Sequence, residues 1–222
     1  IAFDRVQPRF WNRNEKISTE EELKRKTFIG AIKKYSENDS SKEKPKSKNL
    51  NQKSGIDLVT IEIESGNYEN IEKFLSRELI SRISYELNVI HDKGYDDYFL
   101  VVSDLMKWAA DQGILMGVRG SVAGSVAAHC LDIVEIEPIK WELYFERFLN
   151  PERPSPPDID MDIQDSRRDE VINYVKEKYG ENSVAAICTF GKLNTKAAIR
   201  DVSRVMGIDL KTADKLSKMV NV

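Results

Sequence analysis

The sequence predicts an α+β domain, and three observations carry that reading. Helical patterns are interrupted by separated strand-like runs that do not alternate with them as a βαβ series would. One run, Pro156-Pro157-Asp158-Ile159-Asp160-Met161-Asp162-Ile163, alternates carboxylates and apolar residues with the period of a half-buried strand. A second apolar run, Ile114-Leu115-Met116, leads straight into Gly117-Val118-Arg119-Gly120-Ser121 and then into small residues suited to a helix.

Taken in order, residues 1–17 carry no period and read as an irregular lead-in. Thr19 and Glu22 form a T-x-x-E capping box that opens a helix through about Tyr35. The polar, lysine-rich stretch over 37–55 has almost no apolar anchor and reads as a mobile loop or linker. Residues 56–63 (IDLVTIEI) have strand-like composition. From Asn70 an apolar face (Ile71, Phe74, Leu75, Leu79, Ile83, Leu87, Ile90) marks a long helix stopped by Gly94. A second helix is expected from Asp96 to Gln112, closed by Gly113, and a third from Ser121 to about Leu131. Residues 141–150 form an amphipathic turn or helix. Asp165 or Ser166 caps a helix that runs to Tyr179, with Gly180 as its stop. Val184 to Phe190 reads as a further apolar strand, and helices are expected at 194–206 and 211–220.

Composition bounds the function. The chain has 222 residues, 41% hydrophobic and 32% charged, with a net charge of −3, so any nucleic-acid surface must be a local patch. Cys130 and Cys188 lie far apart in apolar surroundings and read as buried free thiols of a reducing cytosol. No apolar run approaches the roughly 18 residues of a membrane span, and no signal peptide is visible. His91 and His129 lack a metal-ligand partner at useful spacing and read as structural. The chain begins at Ile1 rather than Met and reads as an excerpt of something longer.

Three patterns carry chemistry. On a strand, Asp158, Asp160 and Asp162 share one face, where adjacent acids repel unless a cation sits between them. Mg²⁺ suits them because it takes hard oxygen ligands and keeps positions open for water and phosphate; the other reading is an edge strand whose acids face solvent. The strand–Gly–Ser–helix arrangement at Arg119, Gly120 and Ser121 suits a phosphate, or else is an ordinary helix cap with small residues for tight packing. Lys192, Lys196, Arg200 and Arg204 fall at i, i+4 spacing, a basic stripe that invites phosphates or else a solvated face. A metal-binding D-x-D beside a phosphate cradle makes the two halves of a nucleotidyl-transfer site. Arg147, set between Phe145 and Phe148, is read as a cation held against an anion or paired with Glu146.

From Tyr95 to Gly207 the sequence resembles the palm of the bacterial replicative C-family DNA polymerases, the α subunits of DNA polymerase III. The carrying segments are GYDDYFLVVSDLMKWA (94–109), RGSVAGS (119–125), FERFLNPERPSPPDIDMDI (145–163), RRDEVINYVKEKYG (167–180) and TFGKLNTKAAIRDVSRVMG (189–207). The resemblance implies a polymerase β-like nucleotidyltransferase palm, a mixed sheet with helices, followed by the start of a helical fingers region. Asp158 and Asp160 match the first two catalytic aspartates, which hold two Mg²⁺ ions (Mn²⁺ can substitute). Gly120 and Ser121 match the pair that grips the incoming triphosphate, with Arg119 beside them, and Arg147 matches an arginine that contacts phosphate. Asp162 matches an acid of the motif that is not a ligand. Two departures stand out: the usual G-P-G-R-G-S reads Met116-Gly117-Val118-Arg119-Gly120-Ser121 here, and the third catalytic aspartate of the family belongs to a K-F-D motif far downstream.

The domains expected are a lead-in and connecting region over 1–69, a palm over 70–190 and the start of the fingers over 191–222. The function expected is template-directed DNA synthesis from dNTPs on primer-template DNA. Partners would be a sliding clamp and other replicase subunits reached through the rest of a parent chain, in the bacterial cytoplasm. The piece alone is expected to be inactive for want of one carboxylate. A template-independent nucleotidyltransferase and a non-catalytic DNA-binding or scaffold segment are the alternatives.

Overall fold

The computed structural model describes residues 17–36, 55–153, 156–186, 191 and 193–220. The lead-in before residue 17, the lysine-rich stretch up to residue 54, Cys188 and Lys192 therefore lie outside the described residues. The chain divides into two compact units, residues 1–183 and 184–222.

In the first unit, α1 (Thr19–Tyr35) is capped by Ser18 rather than Thr19. The Ser18 hydroxyl accepts the Glu21 N–H at 3.2 Å, one residue ahead of the expected box. Residues Gly55–Glu64 form a helix, α2, not a strand. Ile56, Val59, Thr60 and Ile63 recur at i, i+3, i+4 and i+7, so a single helical stripe buries Val59 and Ile63 despite the β-branched composition. The expected long helix from Asn70 is broken: a 3₁₀ turn at Ile71–Lys73 precedes α3 (Arg77–Asp92), which Ser76 caps through the Leu79 N–H. After Gly94 comes α4 (Asp96–Asp111), close to its expected limits.

The β-structure is one antiparallel ribbon of β1 (Met116–Arg119) and β2 (Asp160–Ile163), with Met116 opposite Ile163 and Arg119 opposite Asp160. Among the described residues the mixed sheet expected from the family resemblance is not formed: 56–63 is helical, and Val184–Ala186 belong to no strand. The first strand also starts later than expected. Ile114 is buried as a strand-like residue would be, but Leu115 is 76% exposed and pairing begins at Met116.

Between the strands, the expected third helix is split into a 3₁₀ turn over Ser121–Gly124 and a short α5 (Val126–Cys130). Residues 141–150 contribute only a 3₁₀ turn, Phe145–Arg147. After β2, a 3₁₀ turn at Asp165–Arg167 leads into α6 (Arg168–Tyr179), and neither Asp165 nor Ser166 caps it by a side-chain bond. The second unit is an α-hairpin of α7 (Thr195–Val205) and α8 (Leu210–Met219), the latter capped by Asp209 through the Thr212 N–H.

The main core collects Leu23, Phe28 and Ile32 of α1, Ile83 and Ile90 of α3, Phe99 and Leu100 of α4, and Phe145 and Leu149. Each such fully buried side chain contributes about 1.5–3 kcal/mol, so helix packing rather than strand pairing dominates the fold. A second cluster joins Leu105 and Ala109 of α4 to Val171 of α6. The inward face of the ribbon spans both: Val118 and Met161 lie on the main core, while Met116, Met161 and Ile163 lie on the second. Its outward face is thereby fixed by the two-residue period.

Candidate active site

The outward face of the ribbon carries Gly117, Arg119, Asp160 and Asp162, all exposed, and the inward-facing residues between them are part-buried. The alternation extends upstream of the strand: Pro157 and Ile159 are buried while Asp158 is exposed. Asp158 lies just before the paired residues, so the three carboxylates follow one another along a single face, as their spacing requires.

Arg119 sits opposite Asp160, but its guanidinium lies 3.6 Å from Asp162 Oδ1, with both side chains well exposed. An exposed pair of this kind contributes little to stability; its effect is to engage Asp162. Among the described residues Asp158 and Asp160 take part in no ion pair. No group of three or more His, Cys, Asp or Glu among those residues is arranged to hold a metal.

The turn after β1 approaches the acids closely. Gly120 has φ +96° and ψ −158°, a conformation open in practice to glycine alone. A Cβ added there would lie 4.0 Å from Asp160 Oδ2, so the bare backbone of the turn faces this carboxylate. Ser121 follows, exposed. The cradle expected at a helix N-terminus takes a different form: Ser121 opens a four-residue 3₁₀ turn, and the first amides of α5 are already bonded to a buried carboxylate. What the turn offers a phosphate is the exposed Gly120–Ser121 backbone, the Ser121 hydroxyl and the neighbouring Arg119.

Arg147 closes a 3₁₀ turn that roots itself through Phe145 and Phe148, both buried, while Arg147 itself is exposed. Glu146 does not pair with it; its carboxylate accepts the Tyr85 hydroxyl at 3.0 Å. In the other unit, α7 displays Lys196, Arg200 and Arg204 on exposed positions, but the stripe is interleaved with acids. Arg200 pairs with Asp214 of α8 at 2.9 Å, and Arg204 pairs with Asp201 at 2.7 Å. Asp201 was visible in the sequence three residues before Arg204; the Asp214 pairing depends on the hairpin.

Tyr98 is a residue that the spacing of charged groups did not reveal. It is part-buried on α4 beside Ile159. Burial pushes its phenol up; the Ile159 backbone amide pulls it back, and the fields of Asp158 and Asp160 push it up again. The phenol oxygen thus accepts from the Ile159 backbone and lies within the fields of both acids. A separate groove of about 430 Å³, lined by Lys26, Lys33, Lys107, Asp104, Asp111 and Asp132 among others, includes none of these residues.

Comparison with known proteins bears on this arrangement. The family described as the bacterial DNA polymerase III alpha NTPase domain matches residues 57–222. The chain belongs to this family. Among its relatives, the DNA polymerase III subunit alpha of Ureaplasma parvum is 56% identical over 142 residues, covering 64% of this chain and 15% of that protein. The subunit of Rickettsia prowazekii is 52% identical over 165 residues, 73% of this chain and 14% of the relative. That of Bacillus subtilis is 56% identical over 142 residues, 64% of this chain and 13% of the relative. The chain thus spans about one seventh of the length of the DNA polymerase III alpha relatives it matches. The ribbon, the Gly120 turn, Arg147 and α7 all fall inside the family match. Among the described residues no helix is long and apolar enough to cross a membrane.

Proposed function

We propose that this chain forms the palm, with the start of the fingers, of a bacterial replicative DNA polymerase in the cytoplasm. The reaction is template-directed: a primer 3′-oxygen forms a new bond to the α-phosphorus of a dNTP, and the bond to the leaving pyrophosphate breaks. The observation that carries the reading is the approach of the Asp160 carboxylate to the open backbone of Gly120. It brings an acid free of ion pairs among the described residues beside a turn suited to phosphate.

Asp158 and Asp160 are exposed, hard-oxygen donors and fit a divalent cation of the Mg²⁺ class, with Mn²⁺ as a substitute. When bound, such ions neutralise the triphosphate and stabilise the attacking and leaving oxygens. In this reading Gly120 and Ser121 bind the triphosphate through backbone N–H and hydroxyl, and Arg119 and Arg147 add positive charge where it accumulates. The pairing of Arg119 with Asp162 leaves Asp160 to the metal. Lys196, Arg200 and Arg204 belong to the start of the fingers and, with Lys192, are assigned to phosphates of nucleotide or DNA from their sequence spacing.

The test is primer extension with Mg²⁺ by the full-length polymerase chain that carries this segment, wild type beside Asp160→Asn. Extension is expected to fall by about a hundredfold or more, while the variant keeps its fold and its primer-template affinity. Unchanged extension would remove the chemistry from this ribbon.

A further inference from the structure

Behind the Gly120 turn lies a buried ion pair to which the reaction scheme gives no role. Glu86 of α3 is fully buried, and Arg82, one turn earlier, is 30% exposed; Arg82 Nε meets Glu86 Oε1 at 2.6 Å. The remaining acceptor capacity of Glu86 is spent on one short segment. Its Oε1 also accepts the Val126 N–H at 3.1 Å, and its Oε2 accepts the Ser125 hydroxyl and the Ala127 N–H, each at 2.9 Å. Four donors on two oxygens match the acceptor pattern of an ionised carboxylate. Arg82 Nη2 donates to the Gly124 carbonyl at 3.0 Å and to the Leu143 carbonyl at 3.3 Å.

The pair therefore grips both ends of a short gap. One side is the last residue of the Ser121–Gly124 turn, and the other is the strand of chain that enters the Phe145–Arg147 turn. The two turns are pressed together at that point: a Cβ on Gly124 would lie 2.5 Å from the Tyr144 carbonyl oxygen. Here a single guanidinium bridges the segment carrying Gly120 and Ser121 to the segment carrying Arg147, and its carboxylate partner caps the helix that follows.

We propose that Arg82 and Glu86 are positioning residues for the nucleotide triphosphate, holding the Gly120–Ser121 turn and Arg147 at one fixed separation. The inference rests on the proposed polymerase reading, and it concerns residues that touch no substrate. Lysine at position 82 keeps the charge but, as a point donor, cannot serve Glu86 and two carbonyls with the fixed fork of arginine. The distance between the two phosphate-contacting segments should then loosen while the acids on the ribbon remain in place.

The experiment uses the full-length polymerase chain with Arg82→Lys, Glu86→Gln and, as a control, Ile83→Val, a core truncation on the same helix. Steady-state extension gives KM for dNTP and kcat, and thermal melting gives Tm. Arg82→Lys is expected to raise the dNTP KM about tenfold, a change of about 1.4 kcal/mol, with kcat within about threefold. Ile83→Val is expected to lower Tm with KM unchanged. An unaltered KM in folded Arg82→Lys overturns the inference. So does an equal rise in Ile83→Val, which would make the effect one of general loosening. Should Glu86→Gln fail to fold, Arg82→Lys decides alone. Loss of extension in Asp160→Asn with an unaltered KM in Arg82→Lys sinks this inference and leaves the polymerase reading standing; unchanged extension in Asp160→Asn sinks the reading itself.

Discussion

At the scale of single residues, the site depends on positions where a side chain is missing. Gly120 gives the turn its backbone and leaves the space that Asp160 faces. Gly124 lets the Tyr144 carbonyl come within 2.5 Å of where a Cβ would stand, and both atoms there belong to backbone that cannot swing aside. Gly124→Ala should therefore destabilise the protein by about 1–3 kcal/mol, the usual range for overpacking. A thermal melt should show a fall of roughly 2–4 °C per kcal/mol for a domain of this size. A melt identical to wild type would mean that the two turns are free to part. The carboxylates were legible in the sequence because period-two alternation gives three acids a common face whatever the strand pairs with. The role of Gly124, the pairing of Arg119 with Asp162 and the place of Tyr98 were not, because each depends on a partner 20 or more residues away in the chain.

At the scale of elements, the ribbon is supported from behind by the α4–α6 contact. Trp108 of α4 stacks on Tyr174 of α6 with ring centres 4.1 Å apart and planes within 8°. One turn away, Asp104 gathers the hydroxyls of Tyr174 at 2.7 Å and Tyr179 at 3.2 Å, together with the Lys178 ammonium. The cluster is mostly shielded from water, so these charge-assisted bonds are worth more than a surface pair. Asp104→Ala should cost about 1–3 kcal/mol. In a double-mutant cycle with Tyr174→Phe the two losses should fall short of additivity by about 0.5 kcal/mol or more, read from denaturant midpoints. Strict additivity would show that Asp104 and Tyr174 act separately. The helices α1, α4 and α6 were legible from apolar spacing and, for α4 and α6, from the stopping glycines Gly113 and Gly180, whereas the expected caps at Thr19 and at Asp165 or Ser166 were not the ones formed. What failed was local. The β-branched residues of α2 suggested a strand until its i, i+3, i+4, i+7 face found a core, and the small residues after Ser121 suggested one helix where Ser125 starts a second. Short 3₁₀ turns leave no period to read.

At the scale of the whole molecule, the first unit is a helical body on which a two-stranded ribbon is carried, so its stability is that of helix contacts. Two of those contacts contain its histidines, and they respond to pH in opposite directions. His91 on α3 meets Asp96 of α4 at 2.9 Å through Nδ1 and Glu20 of α1 at 3.6 Å through Nε2. The hydrogen bond to Asp96 raises its pKa first of all; burial opposes this, and the charges of Asp96, Glu20 and Asp92 add to the rise. His129 is buried on α5, its Nδ1 bonded to the Val134 carbonyl at 3.0 Å. Burial and then the Lys34 ammonium depress it, against smaller upward pulls from the Val134 carbonyl, Glu137 and Asp132. A histidine raised in the folded state stabilises fully below its unfolded pKa of about 6.5 and loses that contribution as pH rises through the folded value. A depressed one does the reverse, and costs stability as pH falls below about 6.5. In the wild type the two contributions therefore oppose each other as pH falls. His91→Gln removes the half that favours acid. The Tm of the variant should match wild type at alkaline pH, drop below it as pH falls through the raised folded value of His91, and keep a constant gap below about 6.5, leaving the slope there set by His129. Since the His91 side chain is about half exposed, salt should narrow the gap. Parallel curves for the two proteins over the whole range would mean that the His91 contacts with Glu20 and Asp96 do not hold α1 and α4 to α3.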